Sequence, residues 1–176
     1  MATTSEASPD TSALNQPLEQ IHQIAQWFEA AVPNPTPQNA LVQFGVHFEE
    51  VFEMVRAMEG SGATREANEQ LNFAADVLSY FQRQIKSGNL VIDFNKLDRV
   101  ALLDALCDQI VTAVGVAHML GMDIEGALKE VAVSNDSKFG ENGSPIFDDQ
   151  QKIMKGPRYQ SPNIAAFTTK GVMRNV

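Results

Sequence analysis

Apolar residues recur at helical spacing along most of the chain. In LEQIHQIAQWFEAAV, residues Leu18, Ile21, Ile24, Ala25 and Phe28 fall on one side of a 3.6-residue period, and PNPTP ends the run. Thr36 followed by Pro37 gives an N-cap and a first-turn proline, so a second helix starts there and reaches about Gly60. Its broad apolar face carries Leu41, Phe44, Phe48, Val51, Phe52, Val55 and Met58. Ser61-Gly62-Ala63 turns the chain, and Thr64 caps a third helix running to about Ile85 with Leu71, Ala74, Ala75, Leu78 and Phe81 inward. Lys86-Ser87-Gly88-Asn89 stops it, and LVIDF is short enough to be an extended connector.

The next helix, Val100 to Ala117, is the most apolar stretch, and its only acids are Asp104 and Asp108. Asn95 is its expected cap, with Asp98 three residues on. At a helical pitch the two Asp lie about 40° apart and share a face with Ala101, Val111 and Gly115. Both carboxylates are therefore expected in a packed interface, where Gly115 allows close helix approach. Taking an ionised carboxylate out of water costs several kcal/mol without a cation or hydrogen bonds. No Lys or Arg lies in the stretch, so the compensating charge must come from another segment or a metal ion.

Gly121 ends that helix and Asp123 starts a fifth, IEGALKEVAVSNDSKF. From Ser134 onward Gly, Pro and Asn make the chain loop-like, and seven of its thirteen basic residues fall between Lys129 and Arg174. The pattern predicts an all-α fold, a bundle of about five helices with a long C-terminal loop. Residues 1–17, rich in Ser, Thr, Ala and Pro, read as a disordered tail, 18–140 as the helical body, and 141–176 as a loop segment packing on the bundle or on a partner subunit.

Composition narrows the function classes. A chain of 176 residues, 44% apolar and 20% charged, is one domain's worth of soluble globular protein. A net charge of −9 argues against nucleic acid or an anionic membrane as partner, and an anionic substrate would need metal help. Cys107 stands alone, which excludes an intramolecular disulfide framework and a Cys-rich zinc site. The N-terminus has no basic region leading into an apolar one, as a secretory signal would. Two Asp and Gln109 interrupt the apolar helix as a membrane span. The expected compartment is the cytoplasm.

Candidate chemistry lies on the second helix. Glu49, Glu53 and Glu50 fall within a ~100° arc shared with Val42, Val46 and Ala57, so three acids converge on a partly apolar surface. Glu66 and Glu69 have the spacing of Glu50 and Glu53 but sit among Thr64, Arg65, Asn68 and Gln70, as a solvated helix start would. Oxygen-only clusters on two helices suit hard cations such as Mg²⁺ or Mn²⁺, which offset the charge of phosphates and activate water. Surface ion pairs for the three Glu and hydrogen bonds for the two Asp are the other reading of these residues. Lys138, Lys155 and Arg158 are the cations expected near phosphates. Trp27 and Phe28 read as packed aromatics, with stacking on a base open to them. There is no P-loop and no G-x-S-x-G.

HFEEVFEM, together with LLDALCDQIVTAVGVAHMLGMDIEGALKEVAVSNDSKFGENGSPIFDDQQKIMKGPRYQSPNI, resembles the all-α nucleoside triphosphate pyrophosphohydrolases, in particular the MazG-like and phosphoribosyl-ATP pyrophosphohydrolase-like branch of phages and bacteria. The resemblance implies a helical bundle, a homodimer or homotetramer, that hydrolyses a nucleoside triphosphate to a monophosphate and pyrophosphate with Mg²⁺ or Mn²⁺. It assigns the family's E-E-x-x-E to Glu49, Glu50 and Glu53, with Glu49 and Glu50 as catalytic candidates and Glu50 and Glu53 as metal ligands. The second acidic motif, usually E-x-x-D, ends on Asp108. Ala105 stands where its Glu would be, so Asp104 is the expected substitute. Asn135, Lys138 and Lys155 match the branch's tail as phosphate or ribose contacts. Arg158 and Gln43 complete the expected substrate set. The segment between the motifs holds a whole helix that simpler members lack.

Two alternatives stay open at this level. One is a helical interaction protein that has lost the chemistry. The other is a ferritin-like di-metal protein, although such sites use Glu-x-x-His whereas His47 precedes Glu50 by three residues. Base and sugar are not legible; a pyrimidine deoxynucleotide such as dUTP or dCTP is the working expectation.

Overall fold

The structure is a computed structural model that describes residues 19–168, so the expected tail over 1–17 lies outside the described residues. Five α-helices follow in order: α1 (Glu19–Ala31), α2 (Pro37–Arg56), α3 (Arg65–Lys86), α4 (Arg99–Met119) and α5 (Ile124–Asp136). Among the described residues there is no strand, and an isolated antiparallel bridge joins Phe147 to Ile153. The chain is an all-α bundle.

Local chemistry sets the helix ends. Thr36 Oγ1 accepts from Asn39 N at 3.2 Å while Asn39 Oδ1 accepts from Thr36 N at 3.0 Å, a reciprocal capping box in front of Pro37. Thr64 caps α3 and Asp123 caps α5 in the expected way. The expected cap of α4 is corrected. Asp93 Oδ1 accepts from Asn95 N and draws Asn95 into a 3₁₀ turn, Phe94–Lys96. Asp98 is the cap instead, its Oδ1 accepting from Val100 N at 3.1 Å and Ala101 N at 3.0 Å.

Helices α2 and α3 form an antiparallel hairpin. Phe48 meets Phe81 edge-on with centroids 4.8 Å apart, and Gly45 lies against Ile85 and Lys86. Ile85 of α3 is fully buried, and Leu41, Val42 and Ala75 are buried as well. Helix α1 packs on α5 at the other side, where Ala31 and Ala132 are buried. The C-terminal segment is tied to α5: Ser134 Oγ donates to Gln160 O at 2.7 Å, and Asp123 N donates to Phe167 O at 3.0 Å.

Helix α4 departs from the sequence expectation. Leu102, Leu106 and Ala117 turn toward the chain, and Gln109 Oε1 lies 2.6 Å from His47 Nε2. The opposite side, with Ala101, Asp104, Asp108 and Val111, is open. A Cβ added at Gly115 would meet nothing within 4 Å, so the close helix approach expected there is not made within one chain.

Candidate active site

One cleft of about 1230 Å³ opens between α1, α2, α5 and the 151–159 loop. Two carboxylates on α2, Glu50 and Glu53, stand on one wall. Their spacing of three puts them one above the other on a helix. Across the cleft are three cations, Lys138 just past the end of α5 and Lys152 and Lys155 on the loop. Trp27, Val42, Val46, Ile153 and Tyr159 supply apolar and aromatic lining.

The loop is built to bring its lysines in. Phe147 and Ile153 pair, Met154 N donates to Ile146 O at 2.7 Å, and Asp148 Oδ1 accepts from Gln150 N and Lys152 N at 2.9 Å each. That turn holds Gln151 at φ 68°, a left-handed conformation unusual for a side-chain-bearing residue. Gly156 then passes against the end of α5, its N donating to Lys138 O at 3.1 Å. A Cβ there would come within 2.5 Å of that carbonyl oxygen, so only glycine allows the KGP turn to sit this close.

Electrostatics distinguish the three glutamates. Burial pushes the Glu50 carboxyl above the usual range, and the charges of Glu53 and Glu49 push it further, against a weaker pull from Lys138 and Lys152. Burial also acts upward on Glu49, but hydrogen bonds and attraction from Lys86 and Lys152 outweigh it and hold its carboxyl below the usual range. Lys86 Nζ donates to Glu49 Oε2 at 2.5 Å and Lys152 Nζ to the same oxygen at 3.1 Å. Glu49 is thus committed to two lysines and lies outside the cleft lining. Burial lowers the Lys138 ammonium against an upward pull from Tyr159 and Glu50, with smaller downward contributions from Lys155 and Lys152.

Of the residues singled out in the sequence, Gln43, Glu50, Glu53, Asn135, Lys138 and Lys155 line this one cleft. Arg158 does not, since its guanidinium donates to Gly140 O at 2.8 Å and braces the loop. Asp104 and Asp108 do not either: both are exposed on the outer side of α4. Lys152, Tyr159 and Glu29 line the cleft without having been chosen, and Trp27 and Phe28, for which stacking on a base was open, line it too. Lys152 sits in the basic-rich segment, a signal that was present. Trp27 Nε1 donates to Asn135 O at 3.0 Å, its ring stacks on Phe139 at 5.7 Å, and Lys138 Nζ lies 5.9 Å from its centroid. The indole is therefore both packed and a cleft wall.

No protein-family model and no curated protein match the chain. A crystal structure from Exiguobacterium sp. 255-15, named as a candidate NTP pyrophosphohydrolase, shares its fold, with a TM-score of 0.53 over 84% of this chain and 90% of that one at 22% identity. At that identity the likeness defines the fold.

Glu50 and Glu53 fit Mg²⁺ or Mn²⁺ in donor chemistry, being two hard oxygen groups, and the charge of Glu53 disfavours that of Glu50. Among the described residues no group of three or more acidic, His or Cys side chains stands close enough to hold a metal. One chain thus brings two of the expected four acidic ligands to the cleft.

Proposed function

We propose that this protein is a metal-dependent nucleoside triphosphate pyrophosphohydrolase that converts a (d)NTP and water to a (d)NMP and pyrophosphate. The observation that carries the reading is the meeting of Glu50 and Glu53 with Lys138, Lys152 and Lys155 in one cleft of a chain whose net charge is −9. A concave site with concentrated cations in so acidic a protein fits a polyanion, and facing carboxylates fit the divalent ion that accompanies a triphosphate.

The residues divide the work by chemistry. Lys138 and Lys155 hold phosphate oxygens, and Lys152, anchored by Glu49, steadies the charge that develops on departing pyrophosphate. Asn135 and Gln43 offer hydrogen bonds to sugar or base, and the Trp27 side of the cleft offers a flat apolar wall for the base. Water attacks, the bond between the α- and β-phosphates breaks, and the water proton passes to Glu50. Glu50 stands in the cleft lining, where it can take that proton. Glu50 and Glu53 would hold Mg²⁺ or Mn²⁺, which when bound would polarise the phosphates and lower the pKa of water.

The reading extends to a homodimer or homotetramer in the cytoplasm, clearing a pyrimidine deoxynucleotide such as dUTP or dCTP from the nucleotide pool. Purified protein is expected to release pyrophosphate from at least one common nucleoside triphosphate when Mg²⁺ or Mn²⁺ is present. Glu53→Ala is expected to lower kcat/KM by about 100-fold or more. Absence of pyrophosphate release across all common ribo- and deoxyribonucleotides, dUTP included, would overturn the proposal.

A further inference from the structure

Asn39, Gln43, Val46, Glu50 and Glu53 of α2 all line the cleft. Steps of four, three, four and three residues make one stripe along a helix, so the cleft runs lengthwise beside α2. Asn39 and Glu50 stand about 16 Å apart on that stripe, at 1.5 Å per residue. The carboxylates hold its C-terminal end, where the charges of Lys138 and Lys152 act on Glu50. The other end is made by the last turn of α1 and the link to α2, with Phe28, Val32, Pro33 and Pro35. No Lys or Arg lines that end, and its ionisable group, Glu29, repels phosphate. A nucleotide with its phosphates among the lysines therefore has its base beside Asn39 and Gln43.

Asn39 is not free to turn. Its Oδ1 accepts from Thr36 N at 3.0 Å and from Thr36 Oγ1 at 2.7 Å. A backbone N–H only donates, so the amide oxygen must be the atom that faces Thr36. Nδ2 makes no hydrogen bond among the described residues. Thr36 lies outside the cleft lining and Asn39 within it, so what this amide offers the cleft is a donor. Gln43, one turn on, has no such tether and can present either end of its amide.

The capping box thus sets a hydrogen-bond polarity at the base end. Opposite its glycosidic bond a base carries either a carbonyl oxygen beside a ring N–H, as in uracil, thymine and guanine, or an amino group beside a bare ring nitrogen, as in cytosine and adenine. A fixed donor next to an amide that can turn matches the first kind. To meet the second, Asn39 would have to swing its oxygen into the cleft and leave Thr36 N without its acceptor.

We infer that Asn39 determines base specificity: its bond to Thr36 makes the cleft select nucleotides with a carbonyl on the far edge of the base, and so dUTP over dCTP. The inference rests on the proposed nucleotide-hydrolysing reading and chooses between substrates within it.

Pyrophosphate release from dUTP and dCTP in the presence of Mn²⁺ tests it, with full-length wild type and Asn39→Asp compared. The new carboxylate keeps an acceptor for Thr36 N and suits a helix N-terminus, but has no donor to give the cleft. Wild-type kcat/KM is expected to be at least about tenfold higher for dUTP than for dCTP and, where purines are hydrolysed, for dGTP than for dATP. Asn39→Asp is expected to lose that preference with no loss of thermal stability, which a purely structural cap would not do. Equal use of the paired bases, a preference for the amino base, or a variant that keeps the wild-type ratio would overturn the inference and leave the hydrolase reading standing. If no nucleotide is hydrolysed, that reading falls and calorimetry with dUTP and dCTP decides: tighter binding of dUTP upholds the base selection, and equal binding or none overturns it.

Discussion

His47 and Gln109 meet side chain to side chain across 62 residues, Nε2 of one 2.6 Å from Oε1 of the other. The contact joins α2 to α4 in a region where α4 has few other partners within its chain. Gln109→Ala is expected to cost about 1 kcal/mol, the usual net worth of such a bond. Urea denaturation measures the loss. Hydrogen exchange is expected to quicken in α4 while α2 and α3 keep their protection.

Glu49 is expected to matter more for stability than for the chemical step. Its carboxylate holds Lys86 and Lys152, with its own side chain 26% exposed and that of Lys86 19% exposed. Glu49→Gln removes the charge and leaves a largely covered ammonium without its counter-ion, at about 2 kcal/mol. Thermal denaturation should register that drop. A lowered kcat/KM should accompany it, because Lys152 loses its anchor. A Glu49→Gln variant of unchanged stability would contradict this assignment.

The depressed pKa of Lys138 gives a pH dependence with a definite sign. Burial disfavours its charged form in the folded protein, outweighing the favourable pull of Tyr159 and Glu50. The penalty on folding is complete below the folded pKa and vanishes as pH rises through the higher unfolded value. For binding the direction is opposite, because only the ammonium attracts phosphate. The alkaline fall of kcat/KM for a nucleotide is therefore expected below the ordinary lysine range. Lys138→Arg should move that fall to higher pH, and a pH–rate profile of both proteins checks it.

Gly156→Ala is expected to disable the lysine loop without unfolding the bundle. The added methyl would lie 2.5 Å from Lys138 O and 3.1 Å from Phe139 O, both rigid backbone atoms. The turn must back away and take Lys155 with it. Nucleotide affinity measured by calorimetry should fall at least about tenfold, with far-UV dichroism unchanged.

The helices were legible because period and punctuation agreed. Thr36-Pro37, Thr64 and Asp123 each combine a side-chain acceptor with an apolar repeat behind it, and each caps where expected. Asn95 misled because an Asp two residues earlier competes for its N–H, a choice that spacing does not rank. The cleft was partly legible. Acids sharing a helical arc with Val42 and Val46 border apolar surface, and Glu50 and Glu53 do line a cavity, both still exposed, while Glu49 is the more covered of the three. Glu49 separates from them because of Lys86, thirty-seven residues away, and helical phase says nothing of a cation so distant. The openness of α4 was illegible for a related reason. An apolar helix looks the same in sequence whether its own chain or another covers it.

Trp27 is the chain's one tryptophan, and it bridges α1 to the end of α5 through a hydrogen bond spanning 108 residues. The α2–α3 hairpin needs only a short turn to form, whereas the indole waits until α5 exists. Contacts that close long loops come late in folding. Refolding followed by Trp27 emission should therefore lag behind the recovery of helical dichroism. The same fluorophore lines the cleft, so the signal that dates its assembly also registers its first occupant.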